Sequence, residues 1–290
     1  MKSVFVPLAA LAAVLPVLGA DLKTDIEYGR AGDVRLLLDA SVPAGGGPFP
    51  VAIIVHGGGW SSGDKQRDTA SRDISPLFEP LTRGNFTWFS INYRLAPTNR
   101  WPAGFEDVQT AICWVKAHAA EYKGDPNRVA LIGHSAGGQL VCLAAVLAND
   151  DTRVQAVVGL AAVTDLLADT AQRGSLSKSL QALLDRPPEP DDETRKILRE
   201  LSPIAHVKPG LPPFLLMQGD ADKTVPWRQS SNFQAKLKAS GVVCDFITLT
   251  NAQHSLVGWE KFDAGYPDKL VTWLQQTLGA GKSSVGKGVK

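Results

Sequence analysis

Gly133-His134-Ser135-Ala136-Gly137 stands directly after an apolar run that ends at Ile132, and directly before Leu140, Ala144, Ala145 and Leu147 at helical spacing. A serine between a strand and a helix sits on a sharp turn that flanking glycines permit, because they carry no Cβ to crowd it. Its hydroxyl then projects past the strand end, beside a helix N-terminus whose free N–H groups favour developing negative charge. Such a hydroxyl can attack a carbonyl carbon if a base takes its proton and a carboxylate orients that base. A second cluster, His56-Gly57-Gly58-Gly59-Trp60, follows the apolar run at 51–55. Consecutive glycines cost conformational entropy and add nothing to a core, so they are expected where backbone must approach a ligand. The N–H groups of Gly58 and Gly59, with that of Ala136, are the expected donors to an oxyanion, each worth roughly 3 kcal/mol in a transition state.

The order serine, acid, histidine suits a nucleophile on such a turn. Two histidines lie well downstream of the serine, His206 and His254, and His254 has the place of a base because it follows the last predicted strand. His134 is held beside the nucleophile, His56 is expected to brace the glycine loop, and His118 falls late on a helix. For the acid, the loop after the apolar run at 214–218 offers Asp220 and Asp222, with Asp165 a third candidate. Asp220 lies nearest the strand end, where an aspartate beside glycine often caps its own loop. Trp60 either shapes a substrate pocket or packs against the glycine loop. No histidine pair has metal-ligand spacing, and this chemistry requires neither a metal nor a cofactor.

Apolar runs of strand composition at 34–39, 51–55, 87–92, 129–132, 154–160, 214–218 and 245–249 must position these groups. Several are continuously apolar, as strands covered on both faces should be. Between them Val108, Ile112, Val115 and Ala119 recur at helical spacing, as do Phe233 and Leu237, then Leu270, Trp273 and Leu274. This alternation predicts an α/β fold, a mostly parallel central sheet flanked by helices. The stretch 165–210 breaks the rhythm, with Leu176, Leu180, Leu183 and Leu184, a cluster of prolines at 187, 188 and 190, then Ile197, Leu198 and Leu201. It is too long for an ordinary connection and reads as a small helical insertion, either a surface excursion or a partial lid.

With 290 residues the chain has room for one catalytic domain, expected over 21–278. Lys2 precedes an apolar run at 4–18 that ends in Gly19 and Ala20, the pattern of a signal peptide over 1–20. That run is shorter than the roughly twenty residues that span a bilayer, so secretion or a periplasmic location is expected, without a stable membrane anchor. Residues 279–290 are rich in Gly, Ser and Lys and read as a disordered tail. The 30 basic residues nearly balance the 29 acidic ones, with no basic stripe, so nucleic acid is not an expected partner. The three cysteines fit neither a disulfide framework nor a zinc site. Cys113 and Cys142 stand in apolar helical context and read as small buried hydrophobes, with one disulfide as the alternative. Oligomeric state is not legible.

Taken together, these residues resemble the α/β-hydrolase serine esterases related to hormone-sensitive lipase, and more closely the bacterial acetyl-xylan and feruloyl esterase branch. The resemblance runs from about Val51 to Leu278 and rests on His56 to Trp60, Gly63-Asp64-Lys65, and Ile91-Asn92-Tyr93-Arg94-Leu95-Ala96-Pro97. It extends through Trp101-Pro102 to Asp107, Asp125-Pro126 and Ser202-Pro203. It implies an α/β-hydrolase fold and a carboxyl-ester hydrolase acting on short-chain or carbohydrate-linked esters, acetyl or feruloyl, of small-molecule or oligosaccharide substrates. In such esterases the acid lies in a Gly-x-x-Asp-x-x-Val-Pro loop, which aligns Gly219, Asp222, Val225 and Pro226 and so selects Asp222. The resemblance thus implies Ser135 as nucleophile, His254 as base and Asp222 as the orienting acid. Three positions depart from the pattern. Gln218 stands where many relatives have histidine, Gln253 where they have glycine, and His134 where the hormone-sensitive-lipase branch usually has aspartate. The rival readings are an arylformamidase using the same residues, a prolyl-oligopeptidase-type peptidase without room for its propeller, and a non-catalytic binding module.

Overall fold

The computed structural model describes residues 20–66 and 74–279. The apolar run read as a signal peptide, and all but the first residue of the tail, lie outside the described residues. The order of elements begins with a hairpin of β1 (Asp21–Ala31) and β2 (Val34–Val42), then β3 (Phe49–Val55), α1 (Ser75–Arg83), β4 (Thr87–Ile91) and α2 (Ala103–His118). It continues through β5 (Gly124–His134), α3 (Ser135–Val146), β6 (Ala156–Leu160), α4 (Leu166–Arg173), α5 (Lys178–Leu184) and α6 (Asp192–Leu201). The last elements are β7 (Phe214–Gly219), α7 (Arg228–Ala239), β8 (Cys244–Leu249) and α8 (Tyr266–Gly279). The strands form one sheet of eight, ordered β1-β2-β4-β3-β5-β6-β7-β8. Strand β2 runs antiparallel to β1 and β4, and every other pairing is parallel.

The continuously apolar strands are so because each face of the sheet meets a helical layer. Along β3, Val51, Ile53 and Val55 join the core under α2 and α3, while Ala52 and Ile54 face α1 and α8. Strand β5 divides in the same way, Val129 and Leu131 on the first side and Ala130 and Ile132 on the second. The chain therefore has the mostly parallel, doubly covered sheet of an α/β-hydrolase fold, and the loops that carry the glycine cluster, Ser135, Asp222 and His254 emerge together at the C-terminal ends of β3, β5, β7 and β8.

The 165–210 stretch forms α4, α5 and α6, and Leu176, Leu180, Leu183, Leu198 and Leu201 are buried in the same core as α2 and α3. Asp165, Ser177 and Asp191 each cap one of these helices by accepting from a first-turn amide. The stretch is tied to the loop before α2 by the Trp101 amide donating to the Leu183 carbonyl (3.0 Å) and by an Arg100–Asp185 ion pair (2.8 Å). One expectation about the cysteines needs correction. Cys113 is exposed, because it lies on the outer side of α2, whose core face is Val108, Ala111, Ile112 and Val115. Cys142 and Cys244 are buried and unpaired, and burial raises both thiols, that of Cys244 to about 12. Both stay protonated and inert. Among the described residues no helix is long and apolar enough to cross a membrane, and no three His, Cys, Asp or Glu side chains are grouped to hold a metal ion.

Candidate active site

At the end of β5 the backbone is extended at His134, turns sharply at Ser135, where φ is +53°, and enters α3. A left-handed serine is strained, and the turn survives because its flanks are glycine. A Cβ on Gly133 would overlap the Gly137 carbonyl, and one on Gly137 would overlap the backbone carbonyls of Val55 and His56. Gly137 is thus the point where α3 touches the root of the glycine loop. Gly137→Ala is expected to push the two apart, lowering stability by about 2 kcal/mol or more and the midpoint of thermal unfolding by roughly 4–8 °C. A calorimetric scan checks this, and an unchanged midpoint would contradict the contact.

Two later loops reach Ser135 from the side of the sheet. The His254 Nε2 atom lies 2.9 Å from the Ser135 hydroxyl, and Nδ1 lies 2.7 Å from Asp222 Oδ2. A carboxylate can only accept, so Nδ1 carries the imidazole proton and Nε2 is left to accept from Ser135. The Asp222 side chain is fully buried and the ring of His254 is about one-fifth exposed. Burial of a carboxylate is tolerable only when its lone pairs are filled. Oδ1 accepts from the amides of Thr224 (2.8 Å) and Val225 (2.9 Å), and Oδ2 accepts from Gln218 Nε2 (2.9 Å) as well as from His254. Gln218 is itself fully buried, with its second N–H on the Val225 carbonyl and its Oε1 accepting from Ser230. The sequence marked it only as a departure from the resembled pattern, whereas the structure makes it a direct partner of Asp222.

His134, held beside Ser135 and expected to pack or hydrogen-bond locally, does both. Its Nε2–H donates to the His254 carbonyl (3.0 Å), and the two rings lie 4.8 Å apart, so it supports the loop that carries His254. That loop is also laced to the Asp222 loop: the Asn251 amide donates to Asp220 Oδ1 (2.6 Å), and the Ala221 amide to the Ala252 carbonyl (3.1 Å). Asp220 therefore fixes loop against loop. Asp165 caps α4, and His206 bonds the Glu200 carbonyl, so neither of these candidates approaches Ser135.

In the glycine loop, Gly58, Gly59 and Trp60 all have positive φ (96°, 59° and 58°), and the Gly58 carbonyl accepts from the Ser61 and Ser62 amides. His56 is stacked on Tyr93 (4.5 Å between centroids), whose hydroxyl donates to the carbonyls of His56 and Gly57 (both 3.2 Å). Past the loop, the buried Lys65 ion-pairs with Asp25 and Asp39 (both 2.8 Å), anchoring it to the β1–β2 hairpin. Trp60 is buried beneath the glycine loop and does not line the cleft at Ser135. Its indole N–H donates to the buried Gln139 Oε1 (3.0 Å), and Gln139 in turn donates to the Leu201 carbonyl, so Trp60 packs the loop onto α3 and α6.

Gly58, Gly59 and Ser135 open into one cleft of about 450 Å³, lined also by Ser179 of α5, Thr224 and His254. Ala136 is buried in the first turn of α3, where its amide has no intrahelical acceptor. Apart from two imidazoles, no side chain larger than threonine lines this cleft among the described residues.

Residues 38–237 match the BD-FAE family. The chain is 34% identical over 224 residues to LipM, a probable carboxylic ester hydrolase of Mycobacterium tuberculosis, covering 73% of this chain and 50% of that protein. It is 34% identical over 245 residues to the esterase LipQ of the same bacterium, covering 80% of this chain and 56% of that protein. The chain thus spans about half the length of the curated relatives it matches. Among solved structures, a truncated carbohydrate esterase from gut microbiota shares the fold with a TM-score of 0.76 at 22% identity, over 91% of this chain and 99% of that one. An acetyl ester-xyloside bifunctional hydrolase from Caldicellulosiruptor lactoaceticus gives a TM-score of 0.74 at 24% identity, over 90% and 98%. With that match spanning the sheet from β2 to α7, including the serine turn and the Asp222 loop, the chain belongs to the BD-FAE family of α/β-hydrolases.

Proposed function

We propose that this chain is a serine carboxyl-ester hydrolase that cleaves esters of small acyl groups. The observation that carries the reading is the continuous hydrogen-bonded path from the Ser135 hydroxyl through His254 to the buried Asp222. The esterase names of the relatives agree with it. Ser135 Oγ attacks the ester carbonyl carbon as His254 Nε2 takes its proton, and Asp222 stabilises the imidazolium. The tetrahedral oxyanion is held by the amides of Gly58, Gly59 and Ala136. The imidazolium returns the proton to the leaving alkoxide oxygen as the C–O bond breaks, leaving an acyl-serine. Water, deprotonated by His254, attacks this second ester, and collapse frees the carboxylic acid and restores Ser135.

The acyl side is read from the cleft walls. A groove that buries an acyl chain gains about 0.8 kcal/mol per methylene, or about fourfold in affinity. Among the described residues, the glycines, serines and threonine around Ser135 provide no long apolar side chain for such a groove. Among the described residues no aliphatic or aromatic side chain larger than threonine lines the cleft apart from two imidazoles, which favours acetyl over feruloyl esters. Across a p-nitrophenyl series from acetate to palmitate, kcat/KM is expected to peak at acetate or propionate and to fall at least about tenfold by octanoate. A steady rise with chain length would contradict the acyl assignment, and no turnover on any member would remove the esterase reading.

A further inference from the structure

The donors that hold the Asp222 carboxylate differ in where they are rooted. The Thr224 and Val225 amides belong to the same loop as Asp222, and the His254 ring, about one-fifth exposed, hangs from the loop after β8. Such donors move with the acid or with the base. Gln218 is the donor rooted in the sheet: it stands on β7 and is fully buried. Its Nε2 carries two N–H groups, one on Asp222 Oδ2 (2.9 Å) and one on the Val225 carbonyl (3.0 Å). One side chain thus ties both the carboxylate and the far side of its loop to the strand end.

A carboxamide does this only if its nitrogen faces the loop. The opposite orientation would set its oxygen against Asp222 Oδ2 and the Val225 carbonyl, two groups that only accept. The Ser230 hydroxyl favours the donating orientation, since it is buried near the start of α7 and donates to Gln218 Oε1 (2.9 Å). Ser230 is in turn held in place through its neighbour. Gln229 Oε1 accepts from the amides of Thr164 (2.9 Å) and Asp165 (2.7 Å), which pins the first turn of α7 to the segment after β6. The polar path behind His254 therefore continues from Asp222 through Gln218 to Ser230, inside the protein throughout.

We infer that Gln218 is a positioning residue for the ester hydrolysis proposed above, and that Ser230 holds it in the donating orientation. Neither residue lines the cleft at Ser135, and Gln218 acts through Asp222, which aims the imidazole. The inference rests on the reading of Ser135, His254 and Asp222 as the hydrolytic relay. In that reading His254 is the base in both half-reactions, so its aim is needed twice, and a displacement of about 1 Å costs on the order of a hundredfold in rate.

The test uses the full chain with Gln218→Met, Ser230→Ala and the double variant. Methionine is close to glutamine in length and fills the space without offering a donor. On p-nitrophenyl acetate, well below each unfolding midpoint, Gln218→Met should lower kcat about tenfold or more and leave KM within about twofold. Ser230→Ala should lower kcat about threefold, and the double variant should be no slower than Gln218→Met, because Ser230 acts through Gln218 alone. A readout without turnover is the low-field proton resonance of His254 Nδ1–H, identified by its loss in Asp222→Asn. Its exchange with water should quicken about tenfold in Gln218→Met, as the pair opens more often. A loss that falls on KM, additive losses in the double variant, or an unchanged kcat or proton exchange would overturn the inference. If Gln218→Met does not fold, Ser230→Ala decides the matter by the same two readouts. If the parent chain turns over no ester, the esterase reading fails, and proton exchange alone decides the positioning role: faster in the variant supports it, unchanged overturns it.

Discussion

Ser135→Ala is expected to lower kcat on p-nitrophenyl acetate by about 10⁴-fold or more while leaving the fold in place. The substitution removes the oxygen that forms the acyl bond and keeps the turn, since alanine meets the same left-handed backbone that serine does. It deletes one hydrogen bond, to His254 Nε2, on a ring that is partly exposed and can bond water instead. The midpoint of thermal unfolding should therefore move by only a degree or two, as expected for about 0.5 kcal/mol in a chain of this size. The activity that remains should be that of bound water attacking substrate held by the oxyanion donors, about 10³–10⁴-fold above the uncatalysed reaction. A variant that keeps a tenth of its rate and its melting point would show that Ser135 is not the nucleophile.

Asp222→Asn tests the other end of the relay and should cost roughly 10⁴-fold in kcat. The reason lies in donors and acceptors. Three groups aim an N–H at Asp222 besides the imidazole: the amides of Thr224 and Val225 at one oxygen and Gln218 at the other. An asparagine must keep its single oxygen toward the two amides, which places its NH₂ against His254 Nδ1 and Gln218 Nε2. The imidazole then moves its proton to Nε2, where it faces the Ser135 hydroxyl and cannot accept from it. Gln218 cannot turn to present its oxygen, because that oxygen accepts from Ser230 and its nitrogen also serves the Val225 carbonyl. A buried donor facing a donor costs about 1–3 kcal/mol, so this variant, unlike Ser135→Ala, should also melt earlier. Unchanged kcat would show that Asp222 does not set the tautomer of His254.

What the sequence revealed, and what it hid, follows from how local each signal is. The strands β3, β5, β6 and β7 are covered on both faces and so are plain apolar runs, and the serine and glycine motifs are short and contiguous. Strand β1 reads as polar because it is an edge strand, mostly exposed, whose Glu27 pairs with Arg30 and Arg35. Helix α1 was hidden by Pro76 and Pro80, although Pro76 occupies a first-turn position that tolerates proline. Trp60 was ambiguous by type, and the residue that settles its environment, Gln139, lies 79 positions away. Gln218 looked like a mere exception because its partners, Asp222 and Ser230, become neighbours only when the loop after β7 folds back on the strand end.

The glycine loop and Ser135 grow from inner strands, whereas Asp222 and His254 hang from the last two strands at one border of the sheet. His254 comes 119 positions after Ser135. During synthesis from the N-terminus, the proposed nucleophile and its strained turn are therefore made long before the imidazole proposed to deprotonate it, and the hydroxyl has no base beside it until β8 docks against β7. On the proposed mechanism, assembly of the sheet border is in that sense the act that arms the molecule, and an emerging chain has no activated nucleophile to turn on its surroundings before folding is nearly complete.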